Sequence, residues 1–194
     1  MHFADATRVA KAALSLLGLS MLALGLTCSH VRGAPGDSAT VAAVKAAFVF
    51  NFAKFTDWPE NRMRSGDADI VFCVQRNDLD HRVVKDLERK SINDRMVAIR
   101  ILGPGADIME CHLFFFSNGM HGAEFDGLVA RAAASNVLLI SDMPDFAERG
   151  GHIALITDQN RLRFKINLGA ATGSGLKLSS KLLQLAEIVA TENQ

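Results

Sequence analysis

Tyrosine is absent from this 194-residue chain, tryptophan occurs once, cysteine three times, and 21 acidic residues cancel 21 basic ones. The missing patterns exclude whole classes of function. No Gly-x-Ser-x-Gly elbow, no workable Cys/His pair and no close carboxylate pair is present, so a hydrolase would have no nucleophile or acid–base couple to name. No stripe of Lys and Arg marks a nucleic-acid surface. His81, His121 and His152 are scattered, and His112 follows Cys111 directly and so faces the other side of a strand, which leaves no zinc-ligand spacing. The residues point to a protein without catalysis, cofactor or metal. Beyond Leu26 no apolar run is long enough to span a membrane.

What is present begins with a targeting signal. Arg8 and Lys11 precede an apolar run from Ala12 to Leu26, and small and turn residues follow to Gly36. The run falls short of the ~20 residues of a spanning helix and reads as a secretory signal peptide over residues 1–34. Gly25, Leu26 and Thr27 are a poor triplet for acylation of Cys28. Cleavage after Gly33 or Ala34 would leave 18 basic and 20 acidic residues. Two cysteines then remain, Cys73 and Cys111, each in a strand-like run. In an oxidising compartment such a pair is expected to be bonded, either as a plain staple or as a redox-sensitive one. Closing a loop of this length is worth about 4 kcal/mol by chain entropy.

The remaining chain, residues 38–192, reads as one α/β domain. Periodicity predicts helices over 38–55, 79–90, 121–134 and 176–190, and strands over 68–75, 96–102, 111–117, 136–141, 151–158 and 160–167. Val71 to Val74, Leu113 to Phe116 and Val137 to Ile140 are continuously apolar, as strands covered on both faces should be, which predicts a mostly parallel central sheet with helices on both faces. Asp158-Gln159-Asn160 predicts a hairpin turn, so the sheet should include an antiparallel pair. Gly169, Gly173 and Gly175 mimic a phosphate-binding spacing, but no second strand follows to complete a dinucleotide fold; they read as a close-passing loop. Asp142, just past a strand, resembles a phospho-acceptor position without the acidic pair that would hold magnesium; Ser141 or Asp142 reads better as a cap for Met143 to Ala147. Asp67, Asp69, Asp78 and Asp80 read as turn and cap residues.

The segment from Lys45 to Pro59 concentrates four of the twelve Phe and the sole Trp. Val41, Val44, Phe48, Phe52 and Phe55 form a helical stripe expected to face the sheet. Asn51 falls inside that stripe and is expected to be a buried, hydrogen-bonded anchor. Val49 and Phe50 fall outside it, so with Trp58 at the rim they are the candidate partner-binding surface, or else pack beneath a second helix or a homodimer contact. Arg161, Arg163, Lys165 and Asn167 share the polar face of a strand. Arg163, Lys165 and Asn167, with His152, are the candidate anion site of an alternative reading as a small-ligand sensor; such basic residues also serve simply as a solvated face.

The aromatic helix ending Phe55-Thr56-Asp57-Trp58-Pro59 resembles the opening of the YfiR-like family of periplasmic proteins. Six further blocks are similar to that family, in order: Phe72-Cys73-Val74, Cys111 to Phe115, Val137 to Asp142, Phe146 to Gly151, Arg163 to Leu168 and Leu176 to Leu183. The resemblance implies a periplasmic α/β protein without enzymatic activity that restrains an inner-membrane partner. That partner is a diguanylate cyclase with a periplasmic sensor domain, or a sensor kinase, with an outer-membrane lipoprotein relieving the restraint and cyclic di-GMP as output. Cys73 and Cys111 match one disulfide of the family. A second one has no counterpart here, since no cysteine lies around Asp142 to His152.

Overall fold

The computed structural model describes residues 36–190, apart from 64–68, 77, 79–80, 118–119 and 160. The signal-peptide reading, Cys28, Asp67, Asp80 and Asn160 therefore lie outside the described residues. The chain runs α1 (Gly36–Lys54), β1 (Thr56–Asp57), β2 (Ile70–Gln75), α2 (His81–Glu88), β3 (Ser91–Ile92), β4 (Arg95–Leu102), β5 (Leu113–Phe116), α3 (Gly122–Ala134), β6 (Leu138–Ser141), β7 (Ile153–Asp158), β8 (Arg161–Asn167), α4 (Leu168–Gly173), β9 (Lys177–Leu178), α5 (Ser180–Leu183) and β10 (Glu187–Val189). An eight-stranded sheet has the order β10-β8-β7-β6-β5-β2-β4-β3, and β1 pairs with β9 in a two-stranded ladder. Within the large sheet β7–β8 and β3–β4 are antiparallel and the other pairs parallel. The α/β class, the single domain and the mostly parallel sheet are as the sequence predicts.

The apolar runs explain the layering. Successive residues of a strand point to opposite faces. Thus Phe72, Val74, Leu113, Phe115, Leu138 and Ile140 meet Val49, Phe52 and Ala53 of α1 on one side. Cys73, Phe114, Phe116 and Leu139 meet Phe125, Leu128 and Ala132 of α3 on the other. The alternation along β8 holds too: Phe164 and Ile166 are buried while Arg161 and Arg163 are exposed. The short β3, which periodicity missed, pairs with β4 through a turn at Asn93 and Asp94, with φ of 50° and 65°. Two consecutive left-handed residues of this kind make the turn that matches strand twist.

The largest departure is at the C-terminal end. In place of one helix over 176–190, the chain forms β9, the four-residue α5 and β10. The ladder β1–β9 takes Leu178 and Lys177 opposite Thr56 and Asp57, and β10 extends the sheet parallel to β8. Ser179 caps α5, its hydroxyl accepting from the Leu182 amide at 3.3 Å, so the helix starts afresh and cannot run through from Leu176. Open backbone edges on β1 and β8 outcompete a helix whose apolar residues have no second sheet face left to cover. Of the glycines read as a bending loop, Gly169 and Gly173 lie within α4, whereas Gly175 (φ 73°) does carry a bend, and a Cβ there would sit 2.8 Å from Asn136 Nδ2.

Candidate functional site

A groove lies along the outer side of α1, and the elements that build it are held to one another. Helix α1 ends as the Thr56 hydroxyl donates to the Phe52 carbonyl at 2.7 Å. The chain then enters β1, which pairs with β9, and the Ser179 amide donates to the Phe55 carbonyl at 3.0 Å. The segment after β9 is thereby fixed beside α1. Between them opens a cavity of about 570 Å³, floored by Phe52, Phe164 and Leu182 and walled by Val44, Phe48, Phe55 and Leu185. A second cavity of about 470 Å³ shares Phe48, Phe164 and Leu185 with the first and continues to Leu162, Arg163 and Glu187. Phe48, Phe52 and Phe164 pack edge-on or tilted, with centroids 4.9 to 5.9 Å apart, which makes the floor rigid. Val44 is 41 % exposed and Leu185 77 %. Large apolar side chains held open to solvent in one continuous depression mark a binding surface.

Of the helical stripe expected to face the sheet, only Phe52 is fully buried. Val41, Val44 and, in part, Phe48 and Phe55 look outward, while Ala46, Val49, Phe52 and Ala53 form the inward face. Val49 is wholly buried and so cannot be partner surface in this fold. Asn51 is exposed and lines the groove rather than anchoring the core. Phe50 is half-buried against the core, with the ammonium of Lys90, two residues past α2, 5.1 Å from its ring centroid. Trp58 is 8 % exposed, and its indole N–H donates to the His112 carbonyl at 3.0 Å. It is a buried anchor, not a rim. Ala46, Val49 and Ala53 share the inward face with Phe52, while the equally small Ala43 and Ala47 are exposed, so residue size alone does not mark that face.

The disulfide joins Cys73 in β2 to Cys111, which sits just ahead of β5 rather than within it, with Cα atoms 5.7 Å apart. Its surroundings are tightly tied. His112 Nδ1 accepts from the Val71 amide at 3.0 Å, and Arg62 donates to the Cys111 carbonyl. Burial, with the nearby Arg62 charge, lowers His112 to about 4, so the ring is neutral. The bond and Trp58 thus secure the same two-residue step.

The four residues of the proposed anion site do not converge. His152 is buried: its Nδ1 accepts from the Leu139 amide at 3.0 Å and its Nε2–H donates to Ser174 Oγ at 2.9 Å. Burial lowers it to about 4. Asn167, also buried, caps α4 by accepting from the Ala170 amide and donates to the Ala147 carbonyl. Lys165 pairs with Glu148 at 2.6 Å and Glu187 at 3.7 Å, and Arg163 lies 3.4 Å from Asp158. The cations are neutralised and the two buried residues face inward, so no anion pocket results. Asp142 pairs with Lys45, and Ser141 Oγ accepts from the Met143 amide at 3.2 Å, but the segment from Met143 to Ala147 forms turns rather than the helix it was expected to cap. Among the described residues no group of His, Cys, Asp and Glu is placed to hold a metal ion.

With this geometry in place, comparison with known families is decisive: a family described as YfiR/HmsC-like matches residues 42–187. The chain belongs to this family. The match takes in all of the sheet except the last two residues of β10, and both walls of the groove. The YfiR/HmsC-like family is one of regulatory proteins rather than enzymes. A search of curated proteins gives no match.

Proposed function

We propose that this protein is a periplasmic regulator that binds the periplasmic sensor domain of an inner-membrane signalling protein, a diguanylate cyclase foremost, and restrains its output of cyclic di-GMP. A sensor kinase is the alternative partner, and an outer-membrane lipoprotein that captures the regulator would relieve the restraint. The observation that carries the reading is the preformed apolar groove between α1 and the 181–185 segment, in a chain of the YfiR/HmsC-like family. A binder shifts a two-state partner only by its differential affinity for the two states. Moving the partner from 1:99 to 99:1 takes about 5.5 kcal/mol, within reach of a groove floored by clustered aromatic rings.

The test is retention from envelope extract, with and without reductant, by the protein and by its Ala47→Arg variant. Ala47 is exposed and lines the groove, so arginine blocks the surface without entering the core. Retention of an inner-membrane cyclase or kinase by the parent alone, with cyclic di-GMP rising in cells that carry the variant, is the expected result. Equal retention and equal restraint by both proteins would remove the groove from the mechanism.

A further inference from the structure

The second cavity lies against a stretch of sheet that has no neighbour. In the β7–β8 register the Asn167 amide donates to the His152 carbonyl at 3.0 Å. Backbone groups alternate in direction along an antiparallel strand, so Arg161, Arg163 and Lys165 turn theirs toward β7 while Leu162, Phe164 and Ile166 turn theirs outward. Ile166 meets β10 there, but β10 pairs only with Lys165 to Asn167. Among the described residues no strand stands beside Arg161 to Phe164, an open edge of about 13 Å. The returning chain does not close it: the amides of Gln184, Leu185 and Ala186 donate to Ser180, Leu182 and Leu183, within their own turn. The cavity of about 470 Å³ between edge and turn reaches both sides of the sheet, touching Phe48, Leu162 and Phe164 on one and Ile156 and Arg163 on the other. The first side is apolar. The second is charged and polarised, with Arg161 and Arg163 facing the single carboxylate of Asp158 at one end and Lys165 held between Glu148 and Glu187 at the other.

We infer that this gap takes an extended segment of the partner protein as an added strand. Its backbone pairs with Leu162 and Phe164, its alternate apolar side chains rest on Phe48 and Leu185, and an acidic residue lies at the end over Arg161 and Arg163. Backbone pairing supplies the affinity and the alternating side chains supply the selectivity. The inference rests on the groove being the partner surface, which this gap continues past the shared Phe48, Phe164 and Leu185.

Two display libraries, one of linear seven-residue peptides and one of a single three-turn helix, are selected against the protein purified from the envelope of expressing cells. The expected binders come from the linear library, with apolar residues at alternate positions and Asp or Glu toward one end, replaced by Lys or Arg when the target is Arg161→Glu. Backbone pairing is then read on the strongest binder. N-methylation of every second residue should weaken it about tenfold or more in one phase and hardly at all in the other, because only alternate amides face β8. Leu162→Pro should weaken it as much, since the lost N–H points away from β7 and the ladder within the fold is kept. A urea titration checks that this variant folds, and the methylated peptides decide the matter if it does not. Binders from the helical library alone, equal effects of the two methylation phases, full binding to folded Leu162→Pro, or a charge preference unchanged against Arg161→Glu would overturn the inference. So would self-association, seen by sedimentation and lost in Leu162→Pro, because a second copy would then own the edge. If linear binders fail while Ala47→Arg still releases the cyclase or kinase, the occupant is wrong and the groove reading stands; if Ala47→Arg releases nothing, the groove reading itself has failed and the inference falls with it.

Discussion

The two long faces of α1 are similar in apolar content and opposite in role. Inward, Ala46, Val49, Phe52 and Ala53 press on the sheet; outward, Val44, Ala47, Phe48 and Phe55 line an open groove. Composition does not separate them. Nor does side-chain size, since each face holds Ala, Val and Phe; what separates them is that the sheet covers one face whereas Phe164 and the 181–185 segment reach only the margin of the other. An apolar side chain near the surface thus contributes to folding or to recognition according to which neighbour reaches it first.

The comparison breaks most sharply at Val49. Val49→Asp places a carboxylate among wholly buried neighbours and should cost about 5 kcal/mol or more, enough to abolish cooperative unfolding in a urea titration. If that variant stays folded and loses only partner binding, the assignment of faces is reversed. Next in size is the disulfide. Cys73→Ser/Cys111→Ser should lower stability by about 4 kcal/mol, while binding through the groove, measured where the variant is still folded, stays unchanged. A simultaneous loss of binding would mean that the staple and the groove are coupled.

Acid sharpens the contrast in a third way. His152 holds about 4 in the fold against about 6.5 in the unfolded chain. Between these values the unfolded chain takes up a proton that the fold refuses, so stability present above pH 6.5 is lost as pH falls toward 4. The loss should be on the order of 3 kcal/mol, read from denaturation at a series of pH values, and His112 acts in the same direction. A flat stability profile across that window would show that neither ring is held neutral. The smallest expected effect on stability belongs to Ala47→Arg, within about 0.5 kcal/mol of the parent, although it should have the largest effect on partner retention. A marked drop in its melting temperature would place Ala47 in the core.

Legibility followed the same division. The seven family-like blocks, the buried strand runs, the Asp158 hairpin and the Cys73–Cys111 pair were each readable because they depend on residue type and on neighbours in sequence. Asn51 and Val49 were misplaced because a helix apolar on most sides has no unique stripe. Residues 176–190 were misread as one helix because leucine spacing there suits a helix, and only the open edges of β1 and β8 show why strands prevail. Arg163, Lys165 and Asn167 alternate as a polar face, yet Lys165 and Asn167 find partners at Glu148, Glu187 and the Ala147 carbonyl, and Arg163 across its own hairpin at Asp158.

By itself, then, the chain determined its class, its layered sheet, its covalent staple and its family, all of which follow from local periodicity, residue type and order along the sequence. Tertiary structure alone decided which face of α1 is spent on the core, how the last segment is divided between strands and a single helical turn, and which charged side chains meet, as Lys45 meets Asp142 and Lys165 meets Glu148. Those outcomes are competitions between surfaces for the same sheet, and a competition is settled by what packs closest, a quantity that no single segment contains.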